Sequence, residues 1–244
     1  EGSKMTIEGG NYLSGVSLTI DNQIQKIAAK AAEQMDKGAV VVCDARNGDI
    51  KAMVSKPNFN ANQVADYLSD PNGPLLNRCL APYNAGSVFK LCVAAAALEV
   101  GTTLKGDYHC VGYTTVSGRD FRCHEEKGHG WLNLQAAIEQ SCNPYFIQLG
   151  LNTGAATLLK MASRMGFGKQ LVLAPKLISP AGSLPSETAA LSDADVANLS
   201  FGQGSLMVAP LQIMQMTLSI VNGGKGSRVR LVQGTMAEGV VDET

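Results

Sequence analysis

The stretch from Val88 to Leu98 is apolar except for one lysine, Lys90, and Gly86-Ser87 stand directly before it. At helical spacing Ser87 and Lys90 share one face, a turn apart. Asn84, or Ser87 itself, can cap such a helix, which puts Ser87 in a first turn whose backbone N–H groups are free. A helix apolar nearly all round offers no face to water, so the chain must build a core around it and bury a lysine with it. A buried lysine gives up its charge more easily than a solvated one. A neutral amine beside a serine hydroxyl is a general base beside a nucleophile. The plain alternative for Ser-x-x-Lys alone is a helix start with a snorkelling lysine.

A chain of 244 residues is one large domain or two small ones, with ample material for a core. A net charge of −1 with no long basic run argues against nucleic acid as a partner. No apolar run is long enough to span a bilayer, and no signal peptide is visible. The chain begins at Glu1 rather than Met, as a processed or cut product does. Six cysteines are too few for a disulfide scaffold. Cys43, Cys79 and Cys92 sit in apolar settings that read as packed core thiols.

Residues 1–15 are polar and Gly-rich and read as a linker or residual segment, with the domain proper over 16–244. Val16 to Ile20 alternates as a strand does. Asp21 caps a helix with Ile24, Ile27, Ala28, Ala31 and Met35 on its apolar side, ended by Gly38. Ala39 to Asp44 and Ile50 to Ser55 are apolar runs around Asn47-Gly48, a strong hairpin signal. Lys56 to Asn84 and Thr102 to Gly130 read as loop-rich, and so does Val172 to Glu187. Helices are expected over 132–139, 145–151, 155–165 and 210–221, and 193–199 is ambiguous. Val229 to Val232 reads as a returning strand. The order predicts an α/β fold, a mainly antiparallel sheet built from both chain ends with a large helical insert between them.

Downstream of Ser87-x-x-Lys90 comes Ser141-Cys142-Asn143, a Ser-x-Asn in which Pro144 disfavours a helical Asn143 and so puts it at a turn or helix start. Ser-x-x-Lys with a Ser-x-Asn and a Lys-Thr-Gly is the signature of serine acyltransferases that react with β-lactams. The chain resembles the class B penicillin-binding proteins, transpeptidases of the elongation and sporulation type. The likeness extends over Leu18 to Asp21 with Gln25, Asn47 to Pro57, Pro82 to Lys90, Gly128-His129-Gly130, Phe201 to Gly204, Pro210-Leu211-Gln212 and Asn222-Gly223-Gly224. Ala85 replaces a proline frequent in the family.

The resemblance implies the penicillin-binding/β-lactamase-like fold and catalysis by Ser87, Lys90, Ser141 and Asn143 without a cofactor. Ser87 attacks a D-Ala-D-Ala stem peptide of peptidoglycan, Lys90 takes its proton, Ser141 relays a proton to the leaving amine, and Asn143 holds the donor peptide. It also implies acylation by β-lactams and an extracytoplasmic site of action, the parent protein being membrane-anchored in a cell-wall synthesis complex. The three histidines fall within 109–129 and no Gly-x-Ser-x-Gly occurs, so no His-based triad competes. The third motif is missing. Lys225-Gly226-Ser227 has the wrong order, and the chain is expected to stop before the strand that carries a Lys-Thr-Gly, leaving 1–244 impaired and its first hairpin with an open edge. A non-catalytic scaffold of the same fold, or a serine β-lactamase or β-lactam sensor, are the alternatives.

Cys110, Cys123, His129 and Cys142 form a second constellation. Three thiolates and an imidazole make a closed tetrahedral set suited to structural Zn²⁺. Cys142 lies between two catalytic candidates, so its side chain is expected to point away from the cleft, toward the 102–130 loop. A Cys110–Cys123 disulfide and four unlinked side chains are the alternatives.

Overall fold

The computed structural model describes residues 4–7, 14–104, 108–174, 177–186, 188, 190–226 and 228–233. In chain order its elements are β1 (Lys4–Ile7), β2 (Ser14–Ser17), α1 (Asn22–Ala31), β3 (Gly38–Cys43), β4 (Ile50–Lys56), α2 (Lys90–Glu99), β5 (Tyr108–Cys110), β6 (Tyr113–Val116), β7 (Arg119–Arg122), β8 (Gly130–Leu132), α3 (Leu134–Glu139), α4 (Asn143–Thr153), α5 (Ala155–Arg164), β9 (Leu171–Ala174), β10 (Leu177–Ser179), α6 (Asp193–Ser200) and α7 (Pro210–Val221). They fall into two compact units, Glu1–Pro82 with Gln170–Ala181 and Ala209–Thr244, and Tyr83–Lys169 with Gly182–Val208.

The first unit packs two-stranded antiparallel sheets on helices and draws its segments from both chain ends, but these do not join into the one sheet expected. β3 and β4 pair antiparallel around the Asn47-Gly48 turn, with a register shift between Val42 and Cys43. Asp21 caps α1, its carboxylate accepting from the N–H groups of Gln23 and Ile24. The helix and the turn after it lay Ala28 and Ala32 on Ala52 and Val54. On the outer side of β4, Gln25 takes the place of a strand: its Nε2 donates to the Met53 carbonyl at 3.0 Å and its Oε1 accepts from the Met53 N–H at 2.8 Å. The segment expected as a returning strand makes isolated bridges, Leu18 to Val232 and Asp49 to Arg230, rather than a full ladder. Arg230 is fixed there by Nη2 at 2.6 Å and Nε at 3.0 Å from Asp49 Oδ1. Ile50, Leu173, Leu211, Leu218, Val229 and Leu231 form the core beneath. β1, inside the stretch expected as linker, pairs antiparallel with β2, which begins there and runs into the strand expected from Val16.

The second unit is mainly helical. α2 is buried over most of its length, with Cys92, Val93, Ala96 and Ala97 sealed from solvent, but Leu98 near its end is 62% exposed where burial was expected. α4 packs on α6 through Gly150, where an added Cβ would fall 2.0 Å from Ser200 Oγ. The ambiguous stretch before Phe201 is α6. It is settled by a capping box in which Ser192 Oγ accepts from the Asp195 N–H and Asp195 accepts from the Ser192 N–H. The region expected as loop, 102–130, holds β5 to β8. The β6–β7 hairpin turns at Ser117-Gly118, both with positive φ (49° and 77°), a two-residue turn whose twist suits the strands. Strands this short carry too few residues for a two-residue period to stand out. The same holds for β9 and β10 within 171–179. Residues 130–132 are strand, and the helix expected from 132 begins at Leu134 under an Asn133 cap.

Candidate active site

Ser87 lies not in α2 but in a single 3₁₀ turn, Gly86–Phe89, that leads into it. Neither expected cap operates. Ala85 opens the turn without a side-chain bond, and Asn84 Nδ2 donates instead to the carbonyl of Leu206 at 3.1 Å. The tighter turn leaves Ser87 exposed while Phe89 and Lys90 are buried. Gly86 has φ +63°, and its N–H donates to the Gly202 carbonyl at 2.9 Å. A Cβ on Gly202 would lie 2.1 Å from the Gly86 carbonyl oxygen, so no side chain fits behind the turn that carries Ser87. Phe89 anchors the turn from below, its ring centroid 5.6 Å from that of Phe167.

Lys90 is only 3% exposed. Its ammonium donates to the Ser141 carbonyl oxygen at 2.6 Å, to Asn143 Oδ1 at 2.7 Å and to Ser141 Oγ at 3.0 Å. The Phe146 ring centroid lies 5.8 Å away. Burial pushes Lys90 down to about 8, partly opposed by the nearby Cys142 and Cys123 thiols. Two of the three partners, a carbonyl and an amide oxygen, can only accept. Neutral Lys90 keeps two protons for those two and presents its lone pair to a hydroxyl. The surroundings thus fit a base that works deprotonated.

Ser141 reaches Lys90 with both its hydroxyl and its carbonyl because its backbone is left-handed, φ +50°. Such a conformation is strained for a residue with a Cβ and needs support from its surroundings. α3 ends just before it, with the Cys142 N–H donating to Ala137 O at 3.0 Å, and α4 starts just after it with Pro144 in its first turn. Asn143 is held at both ends of its amide, with Oδ1 on Lys90 and Nδ2 donating to the Arg122 carbonyl at 3.3 Å. Lys90, Ser141 and Asn143 are thus brought together, and Ser87 stands one turn above Lys90. The support from Gly202, Phe146 and the Arg122 carbonyl was not legible in the motifs. Gly202-Gln203-Gly204 reads as a tight turn, which says nothing about what lies against it.

Behind the Ser141 turn the second constellation also converges. One donor atom each from Cys110, Cys123, His129 and Cys142 lies within 4.8 Å of all the others, and Cys142 points toward the β5–β8 region as expected. Cys123 Sγ and His129 Nδ1 are 3.6 Å apart. Zn–S and Zn–N bonds of about 2.3 and 2.0–2.1 Å at a tetrahedral angle give about 3.5 Å for that edge. Burial and the neighbouring Cys110 thiol push the Cys142 thiol far up, so three thiolates share this space only with a cation among them. Burial, with His124 alongside, lowers His129, which favours the neutral ligating imidazole. All six cysteines are free thiols. The donor set fits zinc.

An exposed serine one turn before a buried lysine, with a Ser-x-Asn turn bracing that lysine, matches the first two motifs of the Ser-x-x-Lys pattern in residues and order. The family model for the penicillin binding protein transpeptidase domain matches residues 38–244, and the chain belongs to that family. Among curated proteins it is 32% identical to stage V sporulation protein D of Bacillus subtilis, over 92% of this chain and 36% of that protein. It is 31% identical to a peptidoglycan D,D-transpeptidase of Mycolicibacterium smegmatis, over 92% of this chain and 49% of that protein. The chain therefore spans between a third and a half of these relatives' length. Penicillin-binding protein A from M. tuberculosis, solved as a ceftriaxone acyl-enzyme complex, superimposes with a TM-score of 0.80 at 28% identity, over 89% of this chain and 53% of that one. The D,D-transpeptidase domain of a peptidoglycan glycosyltransferase from Eggerthella lenta gives a TM-score of 0.80 at 26% identity, over 93% and 63%. The expected α/β fold is the fold of these relatives.

Proposed function

We propose that this chain is the catalytic part of a peptidoglycan D,D-transpeptidase and that Ser87, Lys90, Ser141 and Asn143 do its chemistry. The observation that carries the reading is the Lys90 amine, buried and braced by Ser141 and Asn143 one turn below an exposed Ser87. Ser87 Oγ attacks the penultimate carbonyl of a D-Ala-D-Ala stem peptide and forms an ester as the bond to the last D-Ala nitrogen breaks. The Ser87 proton passes to neutral Lys90 and through the Ser141 hydroxyl to the leaving amine. Asn143 orients the donor strand, and the amine of a second stem peptide then displaces Ser87. A β-lactam takes the same path, but its leaving nitrogen stays tethered and the ester persists.

No Lys-Thr-Gly or Lys-Ser-Gly occurs in these 244 residues. That motif in the relatives' pattern supplies an oxyanion-hole N–H, worth roughly 10²–10³ in rate, so 1–244 alone should label slowly with penicillin. Cys110, Cys123, His129 and Cys142 hold a structural zinc that takes no part in catalysis. Among the described residues no helix is long and apolar enough to cross a membrane. Membership of the family supports action at the outer face of the cell membrane within a cell-wall synthesis complex. The test is intact-mass analysis of the full-length protein after exposure to labelled penicillin. One adduct on Ser87, lost in Ser87→Ala, is expected. An adduct on another serine overturns the assignment, and rapid release of the penicilloyl group indicates a β-lactamase instead.

A further inference from the structure

The β6–β7 hairpin stands beside the catalytic residues, and its two faces differ. One face is buried: Phe121 and Val116 pack on Ile147 of α4 and Ala197 of α6, and Arg119 lies over the Phe121 ring at 5.4 Å. The other face carries Arg122 and Tyr113, which are directly opposite each other in register, so their side chains are neighbours. Both are exposed, Tyr113 by 50%. Among the described residues Arg122 has no side-chain hydrogen bond or ion pair, and the nearest acid on that face, Asp120, is engaged by Thr115 Oγ1 at 2.6 Å.

The backbone under Arg122 is held at three points. Phe121 before it is in the core, Cys123 after it belongs to the four-donor cluster, and its own carbonyl accepts from Asn143 Nδ2. A long cation on an immobile base, one hydrogen bond from the residue that orients the donor peptide, is placed to read that peptide's charge. A guanidinium binds a carboxylate through two parallel hydrogen bonds, and a flanking phenol adds a donor and an apolar wall.

Resting on the transpeptidase reading above, we propose that Arg122, with Tyr113, is a specificity-determining residue. It binds a free carboxylate on the side chain of the stem-peptide residue that precedes the D-alanine pair. The enzyme then prefers donor peptides carrying that carboxylate over the same peptides with the group amidated.

The test uses the full-length protein and two soluble donor peptides identical but for that carboxylate or amide, with penicillin labelling of Ser87 measured alongside. Wild type should favour the carboxylate form by about tenfold in kcat/KM, carried in KM and shrinking with added salt. Arg122→Gln should abolish the preference by raising KM for the carboxylate peptide alone, and Arg122→Lys should restore part of it. Arg119→Gln, on the opposite face, should leave the preference intact. Equal use of both peptides by wild type, or an equal loss on both in Arg122→Gln, overturns the proposal. Absence of any penicillin adduct on wild-type Ser87 overturns the transpeptidase reading itself, and this proposal with it.

Discussion

Lys90 donates at 2.6 Å to the backbone carbonyl of Ser141, and it can do so only because Ser141 holds a left-handed φ of +50°. An extended or right-handed Ser141 would turn that carbonyl elsewhere and leave a buried amine short of a partner. Buried donors without partners are costly, so the strain at Ser141 and the burial of Lys90 hold each other in place. This makes Ser141→Gly informative. Glycine takes positive φ freely, so the carbonyl stays on Lys90 and the fold is retained. The hydroxyl is lost. Penicillin acylation of the full-length protein should drop by about 10²-fold or more, as for loss of a proton-transfer group, with little change in Tm. A near-wild-type rate would remove the Ser141 hydroxyl from the reaction.

Lys90 sets the pH dependence. Its pKa is lowered to about 8 by burial, below the usual lysine value of 10.5. In the mechanism proposed above the active form is the deprotonated one, so the acylation rate should rise with pH and level off above about 8. Lys90→Arg keeps the charge but cannot lose the proton at working pH, and the rate should fall by roughly 10²–10⁴ with no rise across that range. Stopped-flow acylation from pH 6 to 10 measures both.

Gly202 supports Ser87 from behind. Gly202→Ala adds a Cβ that meets the Gly86 carbonyl oxygen at 2.1 Å, at a residue whose φ is +74°. The change should cost about 2 kcal/mol or more, lower Tm, and slow labelling of Ser87. Gly118→Ala also sits at positive φ but meets nothing within 4 Å. It should cost about 1 kcal/mol and leave labelling unchanged.

Gly150 gives a prediction against helix propensity. Alanine is the better helix former by about 1 kcal/mol, yet its methyl at this point of α4 would fall 2.0 Å from Ser200 Oγ and 3.0 Å from Ser200 Cβ. Overpacking costs typically 1–3 kcal/mol, so Gly150→Ala should destabilise. The double change Gly150→Ala with Ser200→Gly should recover part of the loss in thermal denaturation.

The four-donor cluster predicts about one zinc per chain in protein purified without added metal, by elemental analysis. Cys142→Ser and Cys110→Ser should lose the metal and lower Tm. Thiol titration of the wild type should find Cys110, Cys123 and Cys142 unreactive until a chelator is added. Full metal content in both variants would show that the four residues do not form the site.

The sequence alone named Ser87, Lys90, Ser141 and Asn143 as the candidate catalytic set, through their resemblance to a family pattern of ordered motifs. It also determined the hairpin at Asn47-Gly48 and the cap at Asp21, both of which rest on local pattern. Tertiary structure alone decided the rest. It took Ser87 out of α2 into a 3₁₀ turn, since Gly86 and Gly202 meet across a sequence separation of 116 that no local pattern records. It made strands of the 102–130 region, where pairs of three or four residues gain their order from partners and from the Phe121 anchor rather than from propensity. It brought Cys110, Cys123, His129 and Cys142 to one point, which their spacing permitted without requiring. And it set the Arg122 carbonyl on Asn143, because a hydrogen bond between a strand end and a helix start depends on how both pack against the core between them.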